Sequence, residues 1–164
     1  MSFIGIFTET KKETELKQGL KKYFESTNQV HTVIVINSKN IDNMKNIKFE
    51  IVVLDANILG NIPTVQRIIL NAKLLIVNTD LEVNLKCVKN LKLRLISYGL
   101  NSKSTITVSS VNEEIILVSL QRSVRTLKDN IIEPQEIKIM AQTCHGNLYI
   151  SMILAIFSII FEKN

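Results

Sequence analysis

The chain has 164 residues, 46% of them hydrophobic and 21% charged, which is enough for a well-buried core and excludes a disordered or collagen-like chain. Its formal net charge of +5 does not make a nucleic-acid surface, because the lysines are scattered among asparagines and glutamates. Aromatics, the stacking platforms of single-strand binders, are only 5%, with no tryptophan.

SFIGIF (2–7) is a short apolar run before turn-forming residues and predicts a buried strand. From Thr10 the period changes, and Leu16, Leu20, Tyr23 and Phe24 share one helical face opposite lysines and glutamates. HTVIVIN (31–37) and FEIVVLDAN (49–57) predict two more buried strands. Gly60 and Pro63 punctuate the chain before a helix carrying Ile62, Val65, Ile68, Ile69 and Ala72. AKLLIVNTD (72–80) and LKLRLISYG (91–99) supply further strands, with a short polar-flanked helix between them. Apolar strands alternating with amphipathic helices predict an α/β fold: a mostly parallel, doubly wound sheet with helices on both faces.

After Gly99 the helices stop. STITVSSV (104–111), EEIILVSLQ (113–121) and IEPQEIKIM (132–140) follow one another, with Asn112 at the first turn. Ile137 and Ile139 alternate with Glu136 and Lys138, as in a small antiparallel sheet with one face in water. The run 148–161 is apolar all round but falls short of the roughly 20 residues a bilayer crossing takes. It predicts a closing helix, ended by the charges of Glu162 and Lys163, rather than a membrane anchor. The expected organisation is one domain over 1–164: a parallel α/β part (1–102), an antiparallel sheet (103–141) and a closing helix (145–162). The start of the chain lacks the basic residues and long apolar core of a signal peptide. Cys87 and Cys144 show neither metal spacing nor a disulfide framework, as expected of reduced, buried thiols in the cytoplasm.

This order of elements resembles the central, ATP-binding domain of the Mur ligase superfamily, which also includes folylpolyglutamate synthase. Those enzymes join an amino acid or peptide to a carboxylate through an acyl phosphate. Their loop G-I-T-G-T-N-G-K-T-T aligns without a gap on GIFTETKKET, with Gly5 at the first glycine, Thr10 at the asparagine and Lys12 at the lysine. VVLDAN puts Asp55 where the family ends a strand in an acidic residue, and IVNTD puts Asn78 and Asp80 on its N-A-D. LISYGLNS (95–102) matches I-T-Y-G, and GNLYISMILA (146–155) matches the helix that opens H-N-V-Y-N-A-L-A-A. The resemblance implies a phosphate loop at Thr10, Lys11, Lys12 and Glu13. It further implies nucleotide contacts at Asn78, Asp80 and Asn147, and a metal ligand at Asp55.

The loop nevertheless departs from its pattern. Thr8 and Lys11 replace the two inner glycines, and Glu13 puts a carboxylate where the magnesium-binding hydroxyl belongs. TKKE (10–13) reads instead as a capping box, Thr10 and Glu13 satisfying the helix N-terminus reciprocally. Gly146 and Ile150 stand at the family's histidine and second asparagine, and no D-H-L-D stretch follows Asp55. The expectation is a stand-alone, degenerate, non-catalytic domain with no cofactor. It would act as a binding or regulatory protein with a protein partner or as a homo-oligomer, without nucleic acid or membrane. The resemblance places it in bacterial cell-wall precursor metabolism. The alternative is an ATP-dependent carboxylate–amine ligase subunit or an ATPase, using Lys12 and Asp55 with ATP and magnesium while a partner supplies the other domains. Among other candidates, His31, His145 and the Cys144–His145 pair read as strand-start and turn residues. Arg122, Arg125 and Lys128 read as a solvated basic stretch or an anion patch.

Overall fold

The computed structural model describes residues 1–57 and 62–161. The expected turn at Gly60 and the charged end at Glu162 and Lys163 lie outside the described residues. The chain divides into two units, Met1–Glu13 with Val30–Ile96, and Thr14–Gln29 with Ser97–Asn164. The class is α/β, as the alternating pattern predicts.

In the first unit, β1 (Ser2–Thr8) leads into α1 (Thr10–Thr27), whose first turn belongs here, then β2 (His31–Ile36), α2 (Ile41–Met44) and β3 (Ile51–Asp55). α3 (Ile62–Leu70), β4 (Leu74–Asn78), α4 (Glu82–Val88) and the start of β5 (Leu95–Tyr98) complete it. The strands are hydrogen-bonded in the order β5-β4-β3-β1-β2. β1 runs parallel to both neighbours, Ser2 opposite His31 and Thr8 opposite Asp55, and β3 runs parallel to β4. The continuous apolar runs are explained by burial: every residue of β3 and of β4 is buried. Phe7, Phe49, Leu54, Val65 and Ile68 form the centre of one core, each worth roughly 1.5–3 kcal/mol of transfer free energy. Pro63 sits in the first turn of α3, where a missing N–H breaks no helical hydrogen bond.

Gly5 lies inside β1, within the strand expected over 2–7. A Cβ there would stand 3.0 Å from Ile36 Cδ1 and 3.0 Å from the Phe49 ring, so its role is close packing. The strand expected over 91–99 begins only at Leu95, and the single turn of α2 was not marked by any period in the sequence.

The second unit holds the rest of α1, the end of β5, β6 (Ile106–Val111), β7 (Ile115–Leu120), β8 (Val124–Arg125), β9 (Ile131–Ile132), β10 (Gln135–Met140), a 3-10 turn over Ala141–Cys144 and α5 (Leu148–Ile160). Its order is β10-β7-β6-β5, with the expected antiparallel strands joined to β5 by a parallel bridge between Tyr98 and Ile106. Asn112 makes the β6–β7 turn as predicted, its Oδ1 accepting from Glu114 N (2.9 Å) and Ile115 N (2.7 Å). The strand expected from residue 132 is broken at Glu133 and Pro134. Ile131 and Ile132 pair instead with β8 as a separate two-stranded sheet.

One face of β6 and β7 is buried, through Ile106, Ile116, Val118 and Leu120, and α5 packs on β6, β7 and β10. α5 is buried from Ile150 through Phe157 because it is apolar on every side. Its second flank meets α1. Phe24 packs edge-on against Phe157 with ring centres 5.9 Å apart, the Tyr23 hydroxyl donates to Phe157 O (3.1 Å), and Gly19 faces Leu154. No helix of the described residues is long and apolar enough to cross a membrane.

Candidate functional site

With strands in the order 2-1-3-4-5, the topological switch point falls between β1 and β3. Ligands of doubly wound sheets bind outside the carboxyl ends of the strands at that point. Thr8 and Asp55 end those two strands side by side. Beside them opens a cleft of about 320 Å³ with an apolar floor of Phe7, Ile36 and Ile41 and a rim that includes Thr8, Glu9, Thr10, Asp42 and Asn57. The Thr8 Oγ1 is buried and has no hydrogen-bond partner among the described residues.

The turn from β1 to α1 decides what this crevice can hold. Strand pairing carries β1 to Thr8, and α1 begins at Thr10, so Glu9 alone connects them. Glu9 O accepts from Lys12 N (2.9 Å) and from Glu13 N (3.2 Å), which makes Glu9 the N-cap and Thr10 the first helical residue. The capping box expected with Thr10 at the N-cap is therefore not formed, because the N-cap falls one residue earlier, on Glu9. A box needs its hydroxyl residue at the N-cap, and here the strand holds the chain until a glutamate occupies that place. A one-residue connection also leaves no backbone ring to encircle phosphates, and the Glu9 and Asp42 carboxylates line the cleft with negative charge. The residues present do not fit the phosphate loop of an ATP–magnesium site.

Several family-matched positions do come together. Lys12 Nζ lies 3.7 Å from Asp55 Oδ2, the aspartate side chain fully buried and the lysine largely so. Asn78 Nδ2 donates to Asp55 Oδ1 (3.0 Å), and Asn78 Oδ1 accepts from Asp80 N (3.0 Å). Asn78 is thus committed to Asp55 and Asp80, while Asp55 Oδ2, buried and without a hydrogen bond among the described residues, faces the Lys12 ammonium. The Asp80 side chain lines a separate shallow depression with Glu82 and Lys86, whose own pairing is 3.5 Å. Lys11 and Thr10 are exposed, and Glu13 is half-buried in the first turn.

Asn84 is the residue sequence reasoning missed. It is fully buried in α4, and its Nδ2 donates to Leu54 O (3.0 Å) and Asn78 O (2.9 Å), tying β3 to β4 directly behind Asp55 and Asn78. Its only signal was a polar residue at the centre of a short helix between apolar strands.

Asn147, in the second unit, caps α5, its Oδ1 accepting from Tyr149 N (3.0 Å) and Ile150 N (3.1 Å). The basic stretch is partly committed as well, Arg122 donating to Lys103 O at 2.7 Å. His31 has partners that its sequence neighbours do not reveal. Its Nδ1 contacts Ser2 Oγ and lies 3.9 Å from Glu50 Oε2, at the amino ends of the strands. Burial lowers the His31 pKa, opposed by the Glu50 carboxylate. Cys144 is buried, with burial pushing its thiol pKa up, and His145 occupies the turn before α5 in the left-handed region (φ 51°), so the pair is no nucleophile. Among the described residues no group of three or more His, Cys, Asp or Glu could hold a metal ion. No family model matches the chain, and no curated protein matches it.

Proposed function

We propose that this protein is a degenerate relative of the Mur ligase central domain that binds a small ligand or a partner at the switch-point cleft without catalysing ligation. The observation that carries the reading is the β1–α1 turn, where Glu9 alone separates Thr8 from Thr10 and Lys12 is turned to Asp55. A ligase loop presents its lysine to phosphate and its strand-end carboxylate to the metal. Here the two neutralise each other, and Asn78 takes the other carboxylate oxygen. The buried, unpartnered Thr8 hydroxyl and the apolar floor leave a seat for a small ligand that is not a polyphosphate. The family resemblance assigns the setting to bacterial cell-wall precursor metabolism.

Calorimetric titration with ATP and magnesium tests this. The expected result is no saturable heat up to millimolar nucleotide. A micromolar dissociation constant that Lys12→Ala abolishes would overturn the reading in favour of a ligase subunit or ATPase.

A further inference from the structure

β10 ends the strand order of the second unit, with β7 on one side and no strand beyond it among the described residues. Its register with β7 is regular, Gln135 opposite Leu120 through Met140 opposite Ile115. Ala141 N donates to Glu114 O (2.8 Å) as the next pair of that ladder. Antiparallel pairing alternates, so Gln135, Ile137 and Ile139 turn their amides and carbonyls toward β7. Glu136, Lys138 and Met140 turn theirs outward, unpaired by any strand. Glu136, Lys138 and Met140 are also exposed in their side chains, while Ile137 and Ile139 are half-buried.

Proteins usually protect such an edge with a bulge, a proline or a charge that repels a second strand. The bulge of this sheet is in β6, between Val108 and Ser110, and leaves β10 straight. The two charges on the edge are opposite in sign and two residues apart, which makes the strand complementary to itself. Five registers of an antiparallel β10–β10 pair bring the outward backbone groups of Glu136, Lys138 and Met140 together, centred on each residue from 136 to 140. Those centred on Ile139 and Met140 set no charge opposite a charge within the strand. Centred on Glu136 or Lys138, like charges face each other. Centred on Ile137, each Glu136 faces a Lys138 of the other copy, and both are residues whose backbone groups point outward. Ser109, on β6 beyond β7, donates to Glu136 Oε1 (2.9 Å) and turns the carboxylate over β7, so pairing with a second copy exchanges this exposed bond for the Lys138 ammonium of that copy.

We propose that β10 is a homodimerisation edge: two copies pair their β10 strands antiparallel about Ile137, with reciprocal Glu136–Lys138 ion pairs selecting the register. This does not depend on the ligand reading of the switch-point cleft. Two backbone-bonded residue pairs and two exposed ion pairs make a weak dimer, one that dilution and salt dissociate.

Sedimentation equilibrium of the full chain at low ionic strength is the test. A monomer–dimer equilibrium is expected, weakened about tenfold or more by Lys138→Glu or Glu136→Lys, since each opposes like charges twice across the two-fold. The double exchange E136K/K138E should restore it. Lys138→Gln and Glu136→Gln provide milder variants, and circular dichroism confirms that each retains the fold. A monomer at every concentration up to the millimolar range would show that the charges protect the edge and would overturn the proposal. So would a dimer that no single exchange weakens, or one that the double exchange fails to restore.

Discussion

Replacing Asn84 by alanine probes the polar cluster where it is least accessible to water. The side chain is fully buried, and Nδ2 donates to two main-chain carbonyls, Leu54 O at 3.0 Å and Asn78 O at 2.9 Å. Each lost bond leaves a buried acceptor short of a donor, costing about 1–3 kcal/mol, so the gross loss is about 2–6 kcal/mol. Part of it is returned, because Asn84 Oδ1 is itself buried without a hydrogen bond, and removing it relieves about 1 kcal/mol or more of desolvation. The net expectation is a destabilisation of about 1–5 kcal/mol. Urea unfolding followed by circular dichroism measures it as a fall in midpoint at unchanged m-value. Asn84→Asp separates hydrogen bonding from packing, since it keeps the shape but, ionised, has no proton to donate. It should be at least as destabilising as alanine near neutral pH, and should recover in part under acid conditions, where the protonated carboxyl can donate once. A loss below about 0.5 kcal/mol for the alanine variant would refute the reasoning, because the two carbonyls would then be satisfied without Asn84.

Gly5→Ala puts a methyl 3.0 Å from Ile36 Cδ1 and the Phe49 ring, so overpacking of about 1–3 kcal/mol should outweigh the about 0.4–1 kcal/mol gained by stiffening the unfolded chain; a more stable variant in thermal unfolding would contradict this. His31 has a folded-state pKa below its ordinary 6.5, so the unfolded chain binds the proton first as pH falls. The stability it contributes is complete above pH 6.5 and is lost as pH drops through the lowered folded value. Unfolding midpoints taken from about pH 8 to about pH 5 should fall, and His31→Gln should flatten the slope. A midpoint that rises on acidification would mean that Glu50 dominates over burial.

Much of the fold was legible because burial leaves a period in the sequence. The continuous runs that became β3 and β4 could be buried only on both sides, and the alternation in β10 could only have one wet face. The apolar tail had to be a packed helix, because no face of it tolerates water. Local chemistry was also readable at Asn112, whose side chain makes its own turn. What the sequence alone left undecided was everything set by neighbours distant along the chain. β1 extends to Thr8 because Asp55 pairs beside it, and that extension, invisible locally, moved the helix cap from Thr10 to Glu9 and reduced a loop to one residue. Gly5 falls in the strand expected over 2–7, but the reason for a glycine there shows only when Phe49 and Ile36 close over it. Lys12, Asp55, Asn78 and Asn84 carry no mutual spacing, and only strand order brings them into one cluster, in which Asp55 Oδ2 and Asn84 Oδ1 stay buried without a hydrogen bond among the described residues. Periodicity reports how much water a residue tolerates, which is a property of the residue and its near neighbours. Partnership between polar groups depends on the chain's return paths, and those are fixed only when the sheet assembles.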